Sequence, residues 1–303
     1  IKINPKFLEA YTNIGNVLND LGKHSEAIKI YQKANEVNPS YLVSHWLSLN
    51  TFPIIYKNTK EIDIYRKRFE NSLTKINKLL DTKPNYTKKQ IINTLEASTN
   101  YYLHYQGRND LELQKKYAQL IERLSQKIYP QFHKNKNRNV PSQKMKIGFI
   151  SPFFRNHSVS KTHKNWVLKL NKNIYKIFVY YADNLCDHIT NTIKEYADSF
   201  FSHTNVDQLI NQIFKDSLDV LIYLDIGMNS KMQILGSLRL APIQCNTWGH
   251  PITSGLKNID YFFSSQLMEK KDSQKNYSEK LINLPNIGIS FDLPNVSKIK
   301  KSK

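Results

Sequence analysis

Cysteine, glycine and acidic side chains are scarce in this 303-residue sequence. Its two cysteines, Cys186 and Cys245, stand far apart and follow no metal-ligand spacing. That argues against a disulfide scaffold or a thiolate metal site, and it reads as a reducing, cytoplasmic setting. No run approaches the roughly 18 apolar residues of a membrane span, and no charged-then-apolar leader opens the chain, so no membrane partner is expected. The first residue is Ile1, which reads as the start of a fragment.

Several chemistry-bearing motifs are missing as well. No G-x-G-x-x-G follows the first strand-like run and no phosphate-binding P-loop occurs, so neither dinucleotide nor P-loop chemistry is indicated. The sequence has no His-Glu-x-x-His, no G-x-S-x-G and no acidic pair spaced for a metal. These absences indicate no metal or dinucleotide cofactor, and a functional reading must rest on strand ends.

Acidic residues number 25 against 44 Lys and Arg, a formal charge of +19. Such an excess raises nucleic-acid binding as a reading. The lysines are spread along the chain, however, and the two local runs, HKNKNRN (133–139) and SKIKKSK (297–303), contain no aromatic residue for base stacking. Solvated surface charge is the better account, and no nucleic-acid partner is expected.

Hydrophobic residues make up 40% of the chain, enough for a substantial core. The first segment repeats: Asn4-Pro5 and Asn38-Pro39 are 34 residues apart. Between and at them, Tyr11, Ile14, Gly15, Leu18, Ala27, Tyr31, Ala34 and Pro39 fall at tetratricopeptide spacing. Small Gly15 and Ala27 let two antiparallel helices approach, while Tyr11, Leu18 and Tyr31 fill the gaps. A lone repeat leaves its faces uncovered, so residues 1–40 read as the end of an array whose previous repeat closes at Pro5. Residues 41–132 stay helical in pattern but lose the period and read as a connector. Residues 133–145, polar and holding Pro141, read as a linker.

From Lys146 the texture changes. Strand-like runs KIGFIS, YKIFVYYA, VLIYLD, PIQCNTW and IDYFFSS alternate with helix-like stretches at 160–171, 187–197, 206–216 and 230–238. The alternation predicts an α/β, Rossmann-like parallel sheet covered on both faces, preceded by the all-α segment. Ligands of such sheets bind beyond the carboxyl ends of strands.

Three strand ends carry polar groups. After KIGFIS comes SPFFRNHSVSK, where His157 lies between Asn156 and Ser158. An imidazole there suits proton transfer from a hydroxyl, or a hydrogen bond to a substrate oxygen. The same loop also reads as a helix cap made by Asn156 or Ser158. Asp225 ends VLIYLD, placed either to bind a hydroxyl or to cap a helix starting at Asn229 or Ser230. After PIQCNTW, the stretch from Trp248 through Gly249, His250, Pro251, Thr253 and Ser254 to Gly255 offers backbone donors and hydroxyls to a sugar or an anion. Its other reading is a tight connection that needs glycine. His163, His188 and His203 read as surface residues.

The order of the repeat, KIGFISPFFRNHSVS, LDVLIYLDIGM, RLAPIQCNTWGHPITSG, IDYFFSS and YSEKLINLP resembles the O-linked N-acetylglucosamine transferase family, including its plant SPINDLY and bacterial branches. YYLHYQGRNDLELQ (101–114) is similar to the bacterial branch. The resemblance implies a two-lobed GT-B glycosyltransferase in which 146–303 is the N-terminal lobe. It implies metal-independent, inverting transfer of N-acetylglucosamine from UDP-GlcNAc to Ser or Thr of proteins, with protein or peptide acceptors recruited through the repeats. By the same resemblance His157 falls on the family's Asn-His motif, once proposed as catalytic base. The resemblance places His157 at the donor sugar and matches the stretch Trp248–Gly255 to the segment lining the sugar pocket, the glycines letting backbone approach it and His250-Pro251 shaping the wall; Asn156, Ser158 and Asp225 stand beside them as candidate substrate-binding residues.

Three departures accompany the resemblance. Phe153 stands where many relatives carry aspartate. The connector histidine of animal enzymes has no match at Thr99-Asn100, although His104 is close. The nucleotide-binding second lobe would follow Lys303, so the chain is expected not to turn over alone. The alternatives are a non-catalytic repeat module that binds proteins, or a related transferase with another sugar or an Asn acceptor.

Overall fold

In the computed structural model, residues 4–82, 85–133 and 143–292 are described. The 34-residue repeat forms a helical hairpin, α1 (Leu8–Asp20) against α2 (His24–Val37). A Cβ on Gly15 would lie 2.2 Å from the Tyr31 ring, so glycine lets that ring fill the gap between the helices. Ala27 and Tyr31 of the hairpin form a small core with Leu47 of the following helix. The outer side of α1 leaves Val17 and Leu21 exposed, as expected of a repeat unit with one face uncovered.

The connector contains α3 (Leu42–Asn50), α4 (Thr59–Thr82), α5 (Lys88–Glu96), a short turn of helix at Tyr101–Gln106, and α6 (Leu111–Ile128). Trp46 stacks on Tyr117, with ring centroids 5.3 Å apart, and its indole N–H donates to the Ser98 carbonyl at 3.0 Å. Most of the linker read at 133–145 lies outside the described residues.

Seven parallel strands follow in the order β3-β2-β1-β4-β5-β6-β7. They are β1 (Met145–Ser151), β2 (Tyr175–Tyr181), β3 (Ser199–Ser202), β4 (Val220–Tyr223), β5 (Ile243–Thr247), β6 (Tyr261–Ser265) and β7 (Lys280–Leu284). β3 and β7 were absent from the strand-like runs. They are the two edges, paired on one side only, and four-residue SFFS is too short to carry an alternation signal.

The helices are α7 (Ser158–Leu168), α8 (His188–Tyr196), α9 (Val206–Asp216) and α10 (Ser230–Gly236). One sheet face buries Ile147, Phe149, Ile177 and Val179 with Val159 and Val167 of α7 and Ile189 and Ile193 of α8. On the other, Ile150, Tyr180, Leu221 and Tyr223 join α9, α10 and the connector in a single core. The connector is thus part of the lobe's wall. Polar bonds cross the seam too: Tyr117 to Gln233 at 3.3 Å, Ser237 to Ser125 at 2.9 Å, and the Arg239 amide to the Phe132 carbonyl at 2.6 Å.

Strand order reverses between β1 and β4, so the crevice for a ligand lies beyond the carboxyl ends of these two strands. Among the described residues no helix is long and apolar enough to cross a membrane.

Candidate active site at the strand ends

At the reversal, Ser151 ends β1 and Asp225 follows β4. The Ser151 hydroxyl donates to the Asp225 carboxyl and accepts the Phe153 amide at 3.0 Å. Asp225 is wholly buried, and its Oδ1 has no partner. Burial pushes its pKa up to about 7, with the Ser151 hydrogen bond acting in the other direction. Of the two sequence readings of Asp225, the helix cap needs correction: α10 is capped by Asn229, whose side chain accepts from the Lys231 amide at 2.9 Å, while the Asp225 carboxyl holds the Ser151 hydroxyl.

Phe154, fully buried, anchors the loop between β1 and α7. The Asn156 amide donates to the Asp187 carboxylate, which also caps α8. Asn156 and Ser158 are exposed, and neither caps α7. The cap is His157 itself: its Nδ1 accepts the Val159 amide at 3.2 Å. The ring lies flat on Phe153, with centroids 4.0 Å apart and planes 11° from parallel. Phe153 thus props the histidine.

The cap fixes the tautomer. With its Nδ1 lone pair engaged, neutral His157 carries its proton on Nε2 and offers a donor there. Burial, then Arg155 and Lys161, lowers its pKa and keeps it neutral. This imidazole suits holding an oxygen of a substrate; proton abstraction would require breaking the cap.

His163 is a correction. Read as a surface residue, it is completely buried, and only His188 and His203 are exposed. Its Nε2 lies 2.9 Å from the Thr247 hydroxyl, and its ring packs 5.0 Å from that of Trp248. Burial drops its pKa to about 4. It braces α7, and with it His157, against the end of β5. Nothing in local sequence distinguishes a helical histidine that faces the sheet from one that faces water.

The stretch after β5 runs to β6 without a helix. Gly249 sits against β4, where a Cβ would lie 2.1 Å from the Leu224 carbonyl oxygen. His250 is 1% exposed, and neither ring nitrogen has a partner. It fits because Gly227 lacks a side chain: a Cβ there would lie 2.3 Å from His250 Cδ2. Tyr101 stacks on His250 at 5.2 Å, and His104 meets it edge-on at 4.4 Å. Burial, then His104, brings the His250 pKa down to about 3. Trp248 is half-buried, its Nε1 has no partner, and Pro251 is exposed.

The hydroxyls of Thr253 and Ser254, read as groups for a substrate, turn inward to Glu279. The nearby amides also stay inside: Ser254 donates to Glu279, Gly255 to Thr253 Oγ1 and Leu256 to Ser254 Oγ. Gly255 adopts φ 72° against the Gln114 carbonyl of α6. These three residues shape the loop.

His104 reaches the lobe after all. Its Nδ1 donates to the Tyr101 carbonyl at 2.6 Å, leaving the Nε2 lone pair available, and burial lowers its pKa. Two histidines with opposite tautomers therefore belong to this region. His157 presents an N–H, and His104 presents a lone pair beside His250.

Residues 73–293 match the family model described as Glycosyl transferase family 41, and residues 8–41 match a tetratricopeptide repeat. A probable UDP-N-acetylglucosamine–peptide N-acetylglucosaminyltransferase SPINDLY of Solanum lycopersicum is 28% identical over 170 residues, 53% of this chain and 18% of that protein. The similarly named SEC of Arabidopsis thaliana is 27% identical over 146 residues, 47% of this chain and 15% of that protein. The chain thus spans less than a fifth of these relatives. A mutant O-GlcNAc transferase of Thermobaculum terrenum superposes with a TM-score of 0.60 at 18% identity, covering 95% of this chain and 52% of that one. That likeness establishes the fold, an α/β GT-B lobe after a tetratricopeptide segment. With the family model matched over most of its length, the chain belongs to glycosyl transferase family 41.

Proposed function

We propose that this chain is the repeat, connector and N-terminal lobe of a protein O-GlcNAc transferase. The reaction is inverting transfer of N-acetylglucosamine from UDP-GlcNAc to a Ser or Thr hydroxyl. Proteins are its acceptors, reached through the repeat, and no metal enters the proposal.

The observation that carries this reading is the locked tautomer of His157 at the carboxyl end of β1. A neutral N–H donor, propped by Phe153 and fixed by Val159, matches an oxygen of the donor sugar or its diphosphate. Family membership supports the same reaction class. In the transfer the acceptor oxygen bonds to the anomeric carbon as the bond to the diphosphate breaks. The acceptor proton passes to the departing diphosphate, which gains negative charge as its bond breaks, because His157 in its capped state has no lone pair to take it. His157 is accordingly assigned to binding and polarising the donor.

The test is transfer by the whole polypeptide that contains this chain, supplied with UDP-GlcNAc and a protein mixture. Ser- or Thr-linked N-acetylglucosamine in the product supports the reading. Sugar incorporated only from another nucleotide sugar, or only onto Asn, would replace it with the corresponding related activity.

A further inference from the structure

We propose that Glu279 is a positioning residue, a buried carboxylate that holds the stretch 248–256 against the connector and so sets the place of His250 and Trp248. It rests on the reading above only where transfer is the readout.

Glu279 directly precedes β7, distant in sequence from the loop it holds. It is 2% exposed and accepts four hydrogen bonds: from the Thr253 hydroxyl at 2.5 Å, the Ser254 amide at 2.7 Å, the Ser254 hydroxyl, and the Ser278 hydroxyl at 3.1 Å. A buried carboxylate is tolerated when donors saturate it in this way. Three of the four come from the loop, which has no helix of its own to stiffen it.

The network continues across the seam. The Thr253 carbonyl accepts from Gln114 Nε2 at 3.4 Å, and Gln114 Oε1 accepts from Asn100 Nδ2 at 2.5 Å. The next residue, Tyr101, is the ring that stacks on His250. The path from Glu279 through Thr253, Gln114 and Asn100 therefore returns to the imidazole at the strand ends. Gly255 closes the fit at the same place, against the Gln114 carbonyl.

The chemistry demands a carboxylate specifically. Thr253 Oγ1 already accepts the amides of Gly255 at 3.3 Å and Ser278 at 3.1 Å, so its own proton points at Glu279 Oε2 or at Ser278 Oγ, 2.9 Å away, which in turn donates to Oε2. On the other side, the Ser254 amide can only donate. Both carboxyl oxygens must therefore be acceptors. Glutamine has the same shape but sets an NH₂ against one of these donors.

Glu279→Gln in this chain tests the proposal by amide hydrogen exchange. The expected result is exchange at 248–256 faster by at least about tenfold, with β1, β2 and β4 protected as before and helical circular dichroism unchanged. Unchanged exchange at 248–256, or an increase spread evenly over the lobe, would overturn it. Ser254→Ala removes one donor to Glu279, together with the acceptor of the Leu256 amide, and should give a smaller increase confined to the same segment; if Glu279→Gln does not fold, an unchanged loop in Ser254→Ala overturns the proposal. In the whole transferase, Glu279→Gln should raise KM for UDP-GlcNAc by about tenfold and leave the acceptor KM in place. A wild-type protein without transfer would count against the proposed reaction, while the exchange result would still decide the role of Glu279.

Discussion

Gly255 turns its α-carbon toward the carbonyl oxygen of Gln114, so close that a Cβ would lie 2.6 Å from it. The two residues belong to the lobe and the connector, and their contact is part of what joins the two units. With φ at 72°, the position is unfavourable for any L side chain, and the obstructing atom is backbone that cannot rotate away. Gly255→Ala should lower unfolding stability by about 2–4 kcal/mol, combining left-handed strain with overpacking. Urea denaturation measures it. A change within about 0.5 kcal/mol, the range of ordinary surface substitutions, would mean that the seam yields.

Thr247 and His163 make the corresponding link between β5 and α7. The Thr247 hydroxyl lies 2.9 Å from both the Leu224 carbonyl and His163 Nε2. Thr247→Val keeps the shape and removes these bonds, leaving the buried Leu224 carbonyl and His163 Nε2 without their hydroxyl partner. A loss of about 1–3 kcal/mol is expected, again by urea denaturation.

Acid should destabilise the fold in a defined window. His163 and His250 stay neutral when folded, with values near 4 and 3 against an ordinary 6.5, so the unfolded chain gains protons first. Their stabilising contribution is full above pH 6.5 and is lost as pH falls toward 4. Asp225 has the opposite sign. Its folded value of about 7 against 3.8 gives stability that is present at low pH and lost as pH rises from 3.8 to 7. Two histidines outweigh one carboxyl, so stability should fall with acid between pH 6.5 and 4. Asp225→Asn removes the opposing group and should steepen the fall by about 1.4 kcal/mol per pH unit, as measured by denaturation at several pH values. An unchanged slope would mean that Asp225 is ionised when folded.

Much of the architecture was readable from pattern. Gly15, Ala27 and Tyr31 fall at the spacing of a packed tetratricopeptide helix pair, and the five central strands have enough β-branched and aromatic residues to stand out. The edges were less readable, because β3 is four residues long and β7 pairs on one side only. The site was readable as a location and misread in part as chemistry. Beyond strand ends, which donor meets which acceptor depends on partners far along the chain: Glu279 for Ser254, Asp187 for Asn156, Gln114 for Gly255. His163 illustrates the same limit, since its partner Thr247 is 84 residues away.

The measurement closest to the central claim compares His157→Asn with His157→Ala in the whole polypeptide, assayed for transfer from UDP-GlcNAc. A side-chain amide can still donate a hydrogen bond to a substrate oxygen, though it has no basic nitrogen; alanine can do neither. If His157 binds and polarises the donor, alanine should cut kcat/KM by about 10²–10³ and asparagine should recover a substantial part of it. Equal losses in the two variants, with a rate that falls as a single group of the free enzyme protonates, would contradict that claim and make His157 the base.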